Sequence, residues 1–129
     1  MDVLAQDVTF AALAKSMEAQ ALRQTLIAQN IANVNTPNYK RRDISDFTSE
    51  LLDALSEAGS RAKRVGHVED LVAREVVAEE LFYRADQGGV DVDREMAELA
   101  KTSLLTATYS QLLQKRIAQY RMVIREGRV

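Results

Sequence analysis

Two stretches of this sequence limit what the chain can fold into more than anything else in it. From Phe10 to about Asn33 there is neither Gly nor Pro, and between Phe10 and Val34 the only charged residues are Lys15, Glu18 and Arg23; between Thr102 and Gln114 there is none. Helix formers dominate both. They predict a first helix over residues 10–34, roughly 36 Å long, and a second over residues 93–125, roughly 50 Å long. An ordinary surface helix shows a charged face, and these do not. At 100° per residue, Phe10, Leu13, Met17, Ala21, Ala28 and Ile31 share one face of the first helix, with Leu22 and Leu26 roughly opposite. On the second, Met96, Leu99, Ala100, Ser103 and Ala107 line one side, Leu105, Leu112 and Val123 lie across from them, and Leu113, Ile117, Tyr120 and Ile124 fall between. If the Met96 side packs on the first helix, the opposite side is left uncovered. In a chain of 129 residues the remaining elements are too few to cover both helices all round, so other protein molecules are the expected cover. A monomeric bundle with a generous core is the other reading of the same pattern.

Composition agrees with a helical class. With 47% hydrophobic residues but only 5% aromatic and no Trp, the core is built on Ala, Leu, Val and Ile, which suits close helix packing better than a sandwich of sheets. A formal net charge of −2 gives no global field to recruit nucleic acid or anionic lipid. The absence of Cys excludes disulfides and thiolate chemistry. The start "MDVLAQDVTF" carries Asp2 and Asp7 where a secretory signal carries Lys or Arg, so export, if it occurs, is expected without a cleaved Sec signal.

Between the long helices, residues 35–92 read as a turn, a short helix and a variable middle. In "QNIANVNTPNYK", Asn30 and Asn33 sit close to the end of the first helix, where their side chains compete for backbone groups. The turn motif is Asn35, Thr36, Pro37, Asn38 and Tyr39. Pro37 suits position i+1 of a type II turn, and Asn38 suits i+2, where φ is positive. "DISDFTSELLDALSEAG" predicts a short helix capped by Asp46, striped by Leu51, Leu52 and Leu55, and stopped by Gly59. "SRAKRVGHVED" reads as a loop. "LVAREVVAEELFYRA" reads as either one helix or short extended pieces, since Val72, Val76 and Val77 favour strands while its Glu residues favour helix. "DQGGVDVDRE" is a turn followed by an acidic helix start.

Catalytic candidates are few. The single His67 has no Cys or second His to form a nucleophilic or zinc site with it, and an incidental surface role is expected. Asp91, Asp93 and Glu95 have the alternate spacing of part of a calcium loop, but the other ligands and the loop glycine are missing, so helix capping explains them better. Lys40–Arg42 and Arg61–Arg64 carry basic residues with no aromatic platform, which reads as solvated loop charge rather than a nucleic-acid contact. No enzyme activity, cofactor, metal or small-molecule substrate is expected.

The stretch "LIAQNIANVNTPNYKRRDISDF" resembles the N-terminal signature of the bacterial flagellar rod and hook proteins, in which a helix ends in "NIAN" and is followed by "TPGY". "GGVDVDREMAELAKTSLLTATYSQLLQKRI" resembles the region at and before the terminal helix of the proximal subunits of the flagellar basal-body rod. The likeness covers roughly residues 10–55 and 80–125. Asn38 stands where that family usually has Gly, and Gly88 and Gly89 stand where an Asp-Gly-Asn type turn is common. The resemblance implies a mainly α fold with long N- and C-terminal helices packed as a coiled-coil-like hairpin, plus a short helix and an irregular middle. It implies a structural subunit of the periplasmic rod, sent out through the flagellar type III apparatus, that self-assembles to transmit torque and line the export channel. Its implied partners are copies of itself, other proximal rod proteins, a FliE-like adaptor at the rod base and a FliF-like membrane ring. The expected assembly surface comprises Leu22, Leu26, Asn30 and Asn33 on the first helix, and Leu105, Leu112, Leu113, Ile117, Tyr120 and Ile124 on the second. A generic helical adaptor or dimerising module is the competing function.

Overall fold

Asp7 starts the first long helix by accepting a hydrogen bond from the Thr9 amide at 3.0 Å, which satisfies one of the free donors at a helix start. In the computed structural model, which describes residues 7–78 and 90–127, helix α1 then runs over Val8–Ala32. Every other helix and the strand that follows α1 pack on it. Strand β1 is Arg42–Ile44, helix α2 is Phe47–Ser56, helix α3 is Arg61–Glu69, strand β2 is Glu75–Val77, and helix α4 is Val92–Glu126. The fold is mainly helical, and α1 and α4 form an antiparallel hairpin. Asp7 lies beside Arg116 and Tyr120, Gln24 beside Thr106, and Asn30 beside Glu95.

Residues 35–78 hold more regular structure than their sequence suggests. Asp46 caps α2 through the Ser49 amide at 3.2 Å, as its position predicts. The chain leaves α2 through Gly59 at φ +153°, where an added side chain would press on Lys63 Cδ at 3.0 Å. "SRAKRVGHVED", expected as a loop, instead forms α3. Ser60 caps it through the Lys63 amide at 3.3 Å, and Val65 and Val68, three apart, face the same way into the core. Gly66 and the charge-rich composition hid this helix, whose stability comes from packing and not from propensity. The valines of 72–77 resolve to extended structure. β1 pairs antiparallel with β2, with Asp43 opposite Val76, and the Ala78 amide continues the ladder to the Arg41 carbonyl at 2.9 Å. The rest of the ambiguous stretch and the Gly88–Gly89 turn lie outside the described residues.

Ala11, Ala54, Val65 and Val68 form the core between α1, α2 and α3, flanked by Leu51, Leu55 and Leu71. Small residues on α1 let α3 approach it closely. The other side of α1 is left for α4.

Candidate assembly site

The asparagine-rich end of α1 is a knot, and the tail of it is the expected turn. Pro37 and Asn38 occupy its centre, the Tyr39 amide returns to the Thr36 carbonyl at 3.3 Å, and Asn38 has φ +61°. The turn sends the chain back alongside α1, where Asn30 reads it. Asn30 is fully buried; its Oδ1 accepts the Arg42 amide at 3.0 Å and the Tyr39 hydroxyl at 3.2 Å. Its Nδ2 donates to the Arg42 carbonyl at 2.8 Å and to Glu95 Oε2 at 3.2 Å. One amide side chain thus holds the helix end, the returning strand and α4 together. Asn33 closes the helix locally, donating to the Gln29 carbonyl at 2.8 Å.

Glu95 carries the knot into α4. It is fully buried and paired with Arg41, itself 5% exposed, and Arg41 also reaches Asp43 at 3.2 Å. Arg23 on α1 grips Asp43 at 3.1 Å and Glu98 at 3.0 Å. Buried charges persist only when paired, and here each carboxylate has a guanidinium and each guanidinium bridges two elements. Two sequence expectations are corrected. Arg41 is not a solvated loop charge, and Glu95 does not serve as capping chemistry. Asp91 is the residue that caps α4, through the amides of Asp93 at 3.1 Å and Arg94 at 3.4 Å.

The seam between α1 and α4 runs on a different face from the one the apolar pattern indicated. The sheltered positions of α4 include 95, 99, 102, 106, 109, 113, 116 and 120, spaced alternately by four and three. Alternating steps of four and three keep these positions on one stripe of α4, the stripe that faces α1. Met96 is 53% exposed and Ala100 and Ala107 are exposed, so that side does not pack on α1. The seam was missed because much of it is polar: Glu95, Thr102, Thr106 and Arg116 all lie on it.

The expected assembly residues therefore separate. Leu26 and Asn30 are in the chain's own interior, beyond reach of a neighbour. Leu22, Asn33, Leu105, Leu113, Ile117 and Tyr120 are half-buried along the hairpin. Leu112 and Ile124 are exposed, as is Val123, which sequence reading put on the Leu112 side; Leu104 and Met122, which sequence reading did not name, are exposed with them. Of the turn motif, Asn35, Thr36, Pro37 and Asn38 are exposed and Tyr39 is half-buried.

A second polar junction closes the open end of the hairpin. Asp7 accepts from Arg116 Nε at 2.6 Å and Nη2 at 3.2 Å, and from the Tyr120 hydroxyl at 2.7 Å. Burial pushes the Asp7 carboxyl up, but the hydrogen bonds from Arg116, Tyr120 and the backbone outweigh it and hold the group at about 2. The same contact raises the Tyr120 hydroxyl, because the phenol donates to Asp7 only while it keeps its proton. Neither residue was singled out for this pairing in the sequence; a separation of 109 positions between Asp7 and Arg116 leaves no local signal. Among the described residues no group of side chains is arranged to hold a metal ion, and His67 pairs with Glu57 at the surface between α2 and α3.

A helical hairpin locked at both ends by polar knots, with an apolar face left open, is the form of an assembly subunit. Residues 12–40, which span most of α1 and the knot's turn, match the family described as flagella basal body rod protein. The chain is also similar to the flagellar basal body rod protein FlgB of Salmonella typhimurium, at 36% identity over 76% of this chain and 83% of that protein. It resembles FlgB of Escherichia coli at 36% identity over 70% and 73%, and FlgB of Aquifex aeolicus at 32% over 67% and 68%. The chain belongs to the FlgB family of flagellar basal-body rod proteins, and is a structural subunit of that rod.

Proposed function

We propose that the chain builds the proximal part of the rod by presenting the outer face of α4 to its neighbours, and that the rod so formed transmits torque and lines the export path. The observation that carries this reading is the state of α4. Over its 35 residues only Glu95 and Thr102 are buried, while Met96, Leu104, Leu112, Met122, Val123 and Ile124 are all exposed. A helix of about 50 Å with Met96, Leu104, Leu112 and Met122 on its open side, and with Val123 and Ile124 on the stretch beyond the start of α1, leaves an unfavourable hydrated surface that a neighbouring helix would cover. The partners proposed are copies of the chain, other proximal rod subunits, the FliE-like adaptor and the FliF-like ring. The site proposed is the periplasmic span of the basal body, reached through the type III apparatus with the N-terminus uncleaved. No helix among the described residues is long and apolar enough to cross a membrane, which fits a subunit carried through an export channel. A free-standing dimerising adaptor is disfavoured by the family assignment.

The test compares two substitutions on opposite sides of α4. Thr102→Asp puts a carboxylate into the seam with α1 and should reduce helicity and soluble yield of the isolated chain. Leu104→Asp, at a position 70% exposed, should leave both unchanged yet abolish swimming in a complemented strain and remove the chain from purified basal bodies. Normal swimming by Leu104→Asp would overturn this use of the α4 face.

A further inference from the structure

We propose that the cavity where the starts of α1 and α3 meet the end of α4 is a socket for a carboxylate side chain of an adjoining subunit; this rests on the rod reading above. The cavity has a volume of about 340 Å³ and is lined by Arg61, Arg64, Arg116, Asp7, Tyr120 and Leu55 among others. That is room for an acidic side chain together with several waters. The lining holds three arginines and one carboxylate, so it carries an excess of two positive charges, in a chain whose own net charge is −2.

The three arginines are not equivalent. Arg116 is occupied by Asp7 and stacks over the Tyr120 ring at 5.5 Å. Arg61 and Arg64 have no ion-pair partner among the described residues, and Arg64 Nε is buried without an acceptor. A buried N–H of a charged group left without a partner is costly, and an incoming carboxylate would relieve it. Asp7 shows what the socket accepts. Its carboxylate takes two parallel bonds from one guanidinium and a third from a hydroxyl, and the same planar fork is available on Arg61 and Arg64. The backbone amides at the starts of α1 and α3 add positive potential on the same side.

Position favours a protein partner over a free anion. Beyond Tyr120, α4 runs on to Glu126 with every residue exposed, and Met122, Val123 and Ile124 are 58%, 67% and 63% exposed. A neighbour covering this apolar end would pass the mouth of the cavity. Apolar cover beside a desolvated ion pair is the arrangement in which a charge contact contributes specificity to an interface.

The experiment uses the full chain in a strain lacking its own rod subunit. The wild type should restore swimming and appear in purified basal bodies. Arg61→Gln/Arg64→Gln should match wild type in circular dichroism and soluble yield, yet lower incorporation at least tenfold. Should the Arg64 change disturb folding, Arg61→Glu alone, at an exposed residue, should give the same loss. Titration of the ¹⁵N-labelled chain with N-acetylglutamate amide and, separately, inorganic phosphate identifies the ligand class. Saturable shifts of the Arg61 and Arg64 side-chain resonances with the glutamate probe support a carboxylate socket. Shifts with phosphate alone would overturn it in favour of a small-anion site. Wild-type incorporation by the double variant would overturn the socket and leave the rod reading intact, whereas absence of the wild-type chain from basal bodies would remove both.

Discussion

Asn30→Ala is the most searching single change, because Asn30 is the one side chain that touches α1's end, the returning strand and α4 together. The substitution removes four hydrogen bonds, two to the Arg42 backbone, one from Tyr39 and one to the buried Glu95 carboxylate. Neutral bonds contribute about 1 kcal/mol each and a bond to a charged group about 1.5–3, with the larger penalty falling on partners that stay buried. Tyr39 is half-buried and recovers water, so its share is small, whereas Glu95 is fully buried and does not. The expected loss is therefore about 3.5–5 kcal/mol. With a denaturant slope of about 2 kcal/mol per molar urea for a chain of this size, the unfolding midpoint should fall by about 2–2.5 M. Asn33→Ala is the internal control. It lies one turn on, and its two bonds, one to the Gln29 carbonyl and one from the Thr36 hydroxyl, are both exposed so that water replaces them; its midpoint should move by no more than about 0.5 M. The assay is urea unfolding followed by far-ultraviolet circular dichroism in the cold. Equal, small shifts for the two alanine variants would refute the claim that Asn30 ties the three elements together.

Other substitutions probe the seam, the open end and the turn. Thr102→Val should stabilise the hairpin by up to about 1 kcal/mol, since Thr102 is fully buried and its Oγ1 has no hydrogen-bond partner; a lower melting temperature would show that the hydroxyl is satisfied. Asp7 contributes stability that is fully present above its unfolded value of 3.8 and is lost as pH falls through about 2. The contribution is about 1–2 kcal/mol once the partial exposure of Arg116 is allowed for, and Asp7→Asn should flatten the acid limb of the stability curve between those values. At Asn38, with φ +61°, Gly should be tolerated or slightly stabilising and Val should disrupt the turn. Equal swimming by the Gly and Val strains would show that the left-handed residue is not needed.

What the sequence made legible follows from what kind of signal each element carries. The long helices and the turn announce themselves locally, through missing Gly and Pro and through the Pro37–Asn38 pair, and the structure has both. Helix α3 and the β1–β2 pair are held by contacts made elsewhere in the chain, so local composition misread one and left the other undecided. The α1–α4 seam is the instructive case. Apolar periodicity finds the face of a helix that avoids water, and on α4 it pointed to the Met96, Ala100 and Ala107 side, which the isolated chain leaves exposed. The face that meets α1 carries Glu95, Thr106 and Arg116, which are sheltered because specific partners on α1, at its start and before the returning strand receive them, and Thr102, which is simply buried between them. Such a division has a physical logic for a subunit that must polymerise. An ion pair or amide knot forms in one register only, because a shift leaves buried charge unpaired, whereas a stripe of Leu, Met and Val tolerates small adjustments in packing. Polar contacts inside the hairpin then fix the subunit's own geometry, and the apolar surplus remains outside, where the next molecule can use it. On that argument, replacing the Arg41–Glu95 pair by Met and Leu should preserve helicity while loosening the register of α4 on α1. Spin labels on Ala14 and Ala118 would read this as a broadened distance distribution, and an unchanged, narrow one would show that apolar packing alone sets the register.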